Sequence, residues 1–226
     1  MKNIAIITAR GGSKRIPKKN IKNFCGKPVI IYSIEAALKS KLFDEVMVST
    51  DDKEIAEISI ENGAKVPFYR SKETSNDFAT TRDVLVEVIN EYKNRGMNFD
   101  NMCCIYPVAP FISEEKIIES YYLLIENKAD SVLPMVNFSV PPQTGFYIRD
   151  NRVVPYNSAF AKVNTQDIEK IYYDPGQFYW HKISTFFNND STLTKIPFVI
   201  SELEAQDVDN EIDWIMAELK YNYLNR

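Results

Sequence analysis

Three groups of residues in this chain have types and spacings suited to chemistry. The first is Ala9-Arg-Gly-Gly-Ser-Lys-Arg-Ile-Pro-Lys-Lys-Asn20, which places five cations within the ten residues from Arg10 to Lys19. Glycines let a backbone approach an anion closely and turn its N–H groups inward. Arg10, Lys14 and Lys19 can then neutralise a polyphosphate, with Gly12, Ser13 and Asn20 in the same loop. The spacing is neither that of a P-loop nor that of a GxGxxG dinucleotide fingerprint. The competing reading is a solvated basic face. The second group is Asp207-Val-Asp209. On an extended segment the side chains of i and i+2 point the same way, and two carboxylates on one face suit Mg²⁺ bound along with substrate phosphates. Alternatively, Asp209 or Asn210 caps the following helix. The third is Gln177-Phe-Tyr-Trp180: Gln177 and Tyr179 alternate onto one face and can hydrogen-bond hydroxyl or acetamido groups, or the run is an aromatic core strand. His181, the one histidine, has no GxSxG elbow to make a hydrolase with it and reads as structural.

These groups must be carried by elements whose order is legible. Asn3–Ala9 reads as a buried strand ended by a Gly-Gly turn, and Pro28–Ser40 as a helix with Ile30, Ile31, Ile34, Ala37 and Leu38 on one face. Val46–Ser49 is a strand, and Asp51 or Asp52 caps a helix that Gly63 ends. Lys65–Phe68 reads as a short strand, 82–93 as a helix, Met102–Tyr106 as a strand, Glu114–Glu126 as a helix and Ser131–Val136 as a strand. This rhythm predicts an α/β fold, a mostly parallel sheet with helices on both faces. Ligands in such sheets collect beyond the carboxyl ends of the strands, where the basic loop, Ser49–Asp52 and Pro107–Phe111 all lie. Residues 137–175, rich in proline and polar residues, break the rhythm and read as an inserted arm with a hairpin near Asp150–Asn151. A last strand begins near Pro197. The final helix is predicted over Glu211–Leu224, with Ile212, Ile215, Met216 and Leu219 buried.

Composition narrows the classes. Of 27 basic residues, eight fall within residues 1–34, which hold no acid; the other 19 face all 31 acids. A basic end on an acidic body argues for a small anionic ligand and against an extended nucleic-acid surface. There is no apolar run long enough for a membrane span and no signal-peptide pattern. Three cysteines without a pairing or metal pattern fit a reducing, cytoplasmic setting.

The basic loop resembles the nucleotide loop of the CMP-sugar synthetases, the acylneuraminate cytidylyltransferases, and within them the branch acting on pseudaminate. Val48-Ser-Thr-Asp-Asp52, Pro67-Phe-Tyr-Arg70, Ser75-Asn-Asp-Phe-Ala-Thr-Thr81, Tyr106-Pro-Val-Ala-Pro-Phe111, Asp174-Pro-Gly-Gln-Phe-Tyr-Trp180 and Asp207-Val-Asp-Asn-Glu-Ile-Asp-Trp214 recur in order. The resemblance implies one Rossmann-like nucleotidyltransferase domain over 1–226 that couples CTP to a nine-carbon sugar acid, gives the CMP-sugar and releases pyrophosphate. It places the triphosphate on Arg10, Lys14 and Lys19. It places cytosine against Arg70, Ala79, Thr80 and Thr81, although Arg70 could instead form a surface salt bridge and the threonines cap a helix. The sugar would lie near Tyr106, Asp174, Gln177 and Tyr179, and Mg²⁺ on Asp207 and Asp209, with Arg10, Lys19 and the two aspartates catalytic. It further implies a homodimer through the 137–175 arm, whose Phe138, Val140, Phe146, Tyr147, Tyr156 and Phe160 are too apolar for a free loop. The neuraminate enzymes tend to show Gln-Pro-Thr-Ser-Pro-Leu-Arg where this chain has Tyr106-Pro-Val-Ala-Pro-Phe-Ile112. Loss of the glutamine and arginine, together with Asp174 and the Gly176-Gln-Phe-Tyr-Trp180 run, favours pseudaminate over N-acetylneuraminate. An eight-carbon acid such as KDO, a sugar-nucleotide-dependent glycosyltransferase and a non-catalytic nucleotide-binding module are the alternatives.

Overall fold

A computed structural model describes residues 1–160, 163–188 and 192–226. In chain order the strands and α-helices are β1 (Asn3–Thr8), β2 (Asn23–Phe24), β3 (Lys27–Pro28), α1 (Ile30–Ser40), β4 (Glu45–Ser49), α2 (Lys53–Glu61), α3 (Lys72–Ser75), α4 (Thr81–Asn94), β5 (Asn101–Ile105), α5 (Glu114–Glu126), β6 (Ser131–Asn137), β7 (Phe146–Arg149), β8 (Arg152–Pro155), β9 (Tyr172–Tyr173), β10 (Phe178–Lys182), α6 (Ile183–Phe186), β11 (Lys195–Val199) and α7 (Glu211–Leu224).

The main sheet runs β11-β6-β10-β5-β1-β4, with β9 attached to β6. β1 pairs in parallel with both β4 and β5, and β6 with β11; β10 is antiparallel to β5 and β6. Side-chain alternation along β1 explains the layers. Ala5 and Ile7 join a cluster with α1, α2 and α5, whereas Ile4 and Ile6 face Val84, Leu85, Val88 and Ile89 of α4 on the other side. The helix starts carry local signals: Asp52 accepts the Ile55 amide at 3.0 Å, and Ser113 accepts the Lys116 amide. His181 lies half-buried between β5 and β6, and burial and the charges of Lys195 and Arg82 lower its pKa to about 4, as suits a structural, neutral imidazole.

Several expectations are corrected. Pro28 belongs to the β2–β3 hairpin and α1 starts at Ile30; Leu38 of α1 is exposed. Lys65–Phe68 is not a strand; it makes one isolated bridge, Met47 to Lys65. α7 has the predicted bounds but the opposite orientation. Trp214 and Ala217 are buried, packing with Phe24, Tyr32 and Phe111, while Ile212 (73% exposed), Ile215, Met216 and Leu219 face outward. The helix carries two apolar stripes, and the one holding tryptophan is buried within this chain.

In the arm, β7 and β8 form an exposed hairpin turned at Asp150 and Asn151, with φ of 49° and 58°. Two successive positive φ values characterise a tight I′ turn, which Asp and Asn tolerate. Ala161 and Lys162 of the predicted arm lie outside the described residues. No helix among the described residues is long and apolar enough to cross a membrane.

Candidate active site

The chain leaves β1 at Thr8 into the basic loop, beside the carboxyl ends of β4 and β5 and the amino end of antiparallel β10. Internal contacts shape the loop. Asn20 is buried and donates to the Arg10 carbonyl at 2.8 Å, tying the loop's two ends together. Ile16 is buried with Phe24, Val208 and Trp214, which seats the loop on α7's segment. Lys19 Nζ donates to the Val208 carbonyl at 2.8 Å, between the two aspartates. The glycines divide their roles. The Gly11 amide donates to Asp51, and a Cβ on Gly11 would stand 2.8 Å from Asp52 Oδ2, so this glycine serves close packing against α2's cap. Gly12 is exposed and a Cβ there would meet nothing within 4 Å. The expectation of two anion-facing glycine amides is thus corrected at Gly11, whose amide is already bonded.

These contacts border a cleft of about 650 Å³. Its walls bring together Arg10, Ser13, Lys14, Lys19 and Asn20 from the loop, Arg70, Ala79, Thr80, Thr81, Tyr106 and Asp207. Each of these was singled out in the sequence. Gly12, Asp174, Gln177, Tyr179 and Asp209 are not on that wall. Arg70 is no surface ion pair: it is buried and donates to Ser49 Oγ and the Ser49 carbonyl at 3.0 and 2.7 Å. Burial lowers its pKa to about 10. Thr80 does cap α4, in a box with Asp83, while Thr81 shares a 3.3 Å hydrogen bond with the Tyr106 hydroxyl.

The residues expected around the sugar split into a wall and its support. Tyr106 faces the cleft. Behind it Tyr179, buried, packs edge-on at 5.5 Å between ring centroids and donates to Asp174 at 2.7 Å. Asp174 also accepts the Gly176 amide. Gln177 donates to the Glu204 carbonyl, and its Oε1 is buried with no hydrogen-bond partner among the described residues. Ile112 is buried in the core beneath α1 and α5, so of the two departures from the neuraminate motif Tyr106 alone reaches the cleft.

The acidic segment keeps its carboxylates off the helix cap. Asn210 caps α7, accepting the Ile212 and Asp213 amides, and Asp213 answers by accepting the amides of Asp209 and Asn210. Asp209 instead pairs with Arg15 at 2.8 Å. Asp207 opens on the cleft; burial first, then the charge of Asp209, raises its pKa. Burial lowers that of Lys19, against the opposing pull of Asp209 and Asp207. No cluster of three metal-binding side chains occurs among the described residues. Two hard carboxylates beside a polyphosphate-sized basic wall nevertheless suit Mg²⁺, which takes one or two carboxylates and completes its shell with phosphates and water.

Five polar residues of the cleft were not picked out as site residues in the sequence: Thr8, Arg15, Thr74, Asn76 and Asp77. Arg15 lay within the counted cations and Asp77 within the quoted 75–81 segment. Their partners, 194 and 63–67 residues away, carry no local signal.

A family model described as cytidylyltransferase matches residues 4–217. The chain is 38% identical, over 98% of its own length and 97% of the relative's, to a pseudaminic acid cytidylyltransferase of Campylobacter jejuni subsp. jejuni. It is 29% identical, over 96% and 95%, to a CMP-N,N'-diacetyllegionaminic acid synthase of Legionella pneumophila. Among solved structures, a CMP:2-keto-3-deoxy-manno-octonic acid synthetase complexed with CTP superposes with a TM-score of 0.72 at 18% identity, covering 100% of this chain and 99% of that one; this likeness bears on the fold. The basic cleft at the carboxyl edge of a mostly parallel sheet agrees with the sequence match, and the chain belongs to the cytidylyltransferase family.

Proposed function

We propose that this protein couples CTP to a nonulosonic acid, pseudaminate in preference to N-acetylneuraminate, giving the CMP-sugar and pyrophosphate. The observation that carries the reading is the meeting, across one cleft, of the loop cations with the carboxylate of Asp207, bridged by the Lys19–Val208 contact. The sugar's anomeric hydroxyl attacks the α-phosphorus of CTP in line; the new P–O bond forms as the bond to the β-phosphate's bridging oxygen breaks, pyrophosphate leaves and the hydroxyl proton is lost to water. Such transfers depend on positioning and charge stabilisation.

Arg10, Lys14 and Lys19 hold the β- and γ-phosphates and stabilise the charge that builds on departing pyrophosphate. A desolvated Lys19 suits this task, because an arriving anion restores the stabilisation that burial removed. Arg70, fixed by Ser49, and the Ala79–Thr81 turn border the nucleotide. Asp207 and Asp209 would hold Mg²⁺. When bound, the ion supplies polarisation of the α-phosphate and acidifies the attacking hydroxyl. Tyr106, braced by Tyr179 and Asp174, offers an aromatic wall to the sugar. The names of the relatives point to the same class of acid. A reducing cytoplasm, with its CTP, fits three free cysteines.

The test is pyrophosphate release by the purified chain with CTP, Mg²⁺ and pseudaminate. The reading expects release that requires both substrates; a nucleotide-binding module would bind CTP and release none.

We further propose a homodimer. The β7–β8 hairpin exposes Phe146, Ile148 and Val153, and α7 exposes Ile212, Ile215 and Leu219. Exposed apolar side chains grouped in this way on one element mark an interaction face, and a two-fold dimer through the hairpin arm would bury those of β7 and β8. Light scattering at micromolar concentration is expected to give about twice the 26.1 kDa of one chain; a mass of one chain removes the dimer.

A further inference from the structure

Two of the loop cations converge on one carboxylate. Arg10 Nη1 donates to Asp77 Oδ1 at 2.9 Å, and Lys14 Nζ to Asp77 Oδ2 at 2.5 Å. Each oxygen takes one cation, so the carboxylate lies across both as a phosphate group would. Arg10 also reaches the Asn76 carbonyl at 3.3 Å. The turn that carries Asp77 is preformed. Asn76 Oδ1 accepts the amides of Phe78 and Ala79 at 2.8 and 3.0 Å, and Thr80 begins α4. Phe78, at the tip, is 94% exposed. Asp77's ion pairs therefore tie a solvent-facing turn to the basic loop across the mouth of the cleft.

We propose that Asp77 is a built-in competing anion: it holds Arg10 and Lys14 while the cleft is empty, yields them to the polyphosphate of the nucleotide, and takes them back as pyrophosphate leaves. This rests on the reading of the cleft as a CTP site. The geometry suits exchange. The pair is open to solvent, with the Arg10, Lys14 and Asp77 side chains 39%, 78% and 45% exposed, and exposed ion pairs are weak enough to be replaced. A ligand bearing several charges on adjacent phosphates satisfies both cations and displaces Asp77; the single phosphate of CMP does so poorly. Asp77 thereby lowers affinity for pyrophosphate, which must depart, more than for the cytidine part of the nucleotide. Hydrogen bonds from Lys14 and Arg10 hold its carboxyl below the usual range, so the competitor stays ionised at neutral pH.

The competing possibility is that Asp77 merely braces the Asn76–Thr80 turn. Calorimetric titration of the full chain with pyrophosphate, CMP and CTP separates the two. Asp77→Asn keeps the volume and removes the charge. It is expected to tighten pyrophosphate by about 3–10-fold, the scale of exposed ion pairs, and to leave CMP within about twofold. Product inhibition by pyrophosphate should strengthen by the same factor. Asp77→Glu, which keeps the charge, should return pyrophosphate affinity towards wild type. Unchanged or weaker pyrophosphate binding in a folded Asp77→Asn variant overturns the proposal, as does a parallel loss of CMP and CTP affinity, the mark of a brace. If Asp77→Asn does not fold, Asp77→Ala takes its place: raising salt should weaken pyrophosphate binding less steeply in the wild type than in Asp77→Ala, and equal slopes overturn the proposal. Wild-type protein that binds no CTP would sink the CTP reading instead.

Discussion

Replacing Asp207 or Asp209 with asparagine is expected to lower kcat by roughly 10²–10⁴-fold with the fold intact. The size follows from chemistry: a cation polarising a phosphoryl oxygen contributes several kcal/mol, and each 1.36 kcal/mol is a factor of about ten. Asparagine keeps volume and one neutral oxygen but loses the charge a hard cation needs. Folding should survive because neither carboxylate caps α7; Asn210 and Asp213 do that. The two variants should differ in one respect. Asp209 also pairs with Arg15, so its loss frees a guanidinium beside the phosphates, and CTP affinity should fall less in Asp209→Asn than in Asp207→Asn. Turnover with a Mg²⁺ titration, alongside thermal melting, checks this. Near-wild-type turnover in both variants would remove the metal assignment.

The basic loop should show the second-largest effect. Lys19→Ala and Arg10→Ala are expected to weaken CTP by about 10–100-fold, the worth of a charge-assisted hydrogen bond, and CMP by much less. In the proposed complex the lost charge would face the β- and γ-phosphates. Lys19 adds a pH signature. Burial lowers its pKa in the free protein, and a triphosphate bound against it would raise it. The complex then holds more protons than the free protein between those two values, so CTP affinity falls as pH rises through the lowered one. The fall should begin below the ordinary lysine range and vanish in Lys19→Ala. Calorimetry across alkaline pH measures it; equal losses of CTP and CMP would place the side chain at the base or ribose.

Much of this site was legible because its parts are local. The glycine-cation loop, the aspartate pair and the capping residues are short-range patterns, and the alternation of strands and helices fixed which edge of the sheet would carry them. The Asp150–Asn151 turn was legible for the same reason. What was missed depends on partners distant in sequence. The apolar stripe at Ile212, Ile215, Met216 and Leu219 has ideal helical spacing, yet Trp214 and Ala217 are the residues packed against Phe24 and Tyr32. Periodicity finds a stripe but does not rank two of them. Tyr179 was correctly placed on a strand but turns into the protein, because β10 sits between two neighbours and has a helix layer on each face; Gln177 precedes β10 and is buried against the Glu204 carbonyl. Asp77 and Arg15 are ordinary exposed charges in the sequence; the fold alone brings them onto the loop and the aspartates.

The sugar preference rests on the cleft wall. Pseudaminate carries a terminal methyl and a second acylamino group where N-acetylneuraminate has a hydroxyl-rich glycerol chain. Tyr106, held edge-on by Tyr179 and bonded to Thr81, presents aromatic surface where the neuraminate motif has glutamine. Ile112 is buried away from the cleft, so the preference depends on Tyr106 and on the Tyr179–Asp174 pair behind it. Burying unpaired hydroxyls costs about 1–3 kcal/mol each, whereas accommodating a methyl changes little. The most direct measurement is kcat/KM for both acids with CTP and Mg²⁺ in excess, following pyrophosphate. The account predicts pseudaminate ahead by at least about tenfold, one unpaired hydroxyl's worth, and comparable values or a preference for N-acetylneuraminate would contradict it.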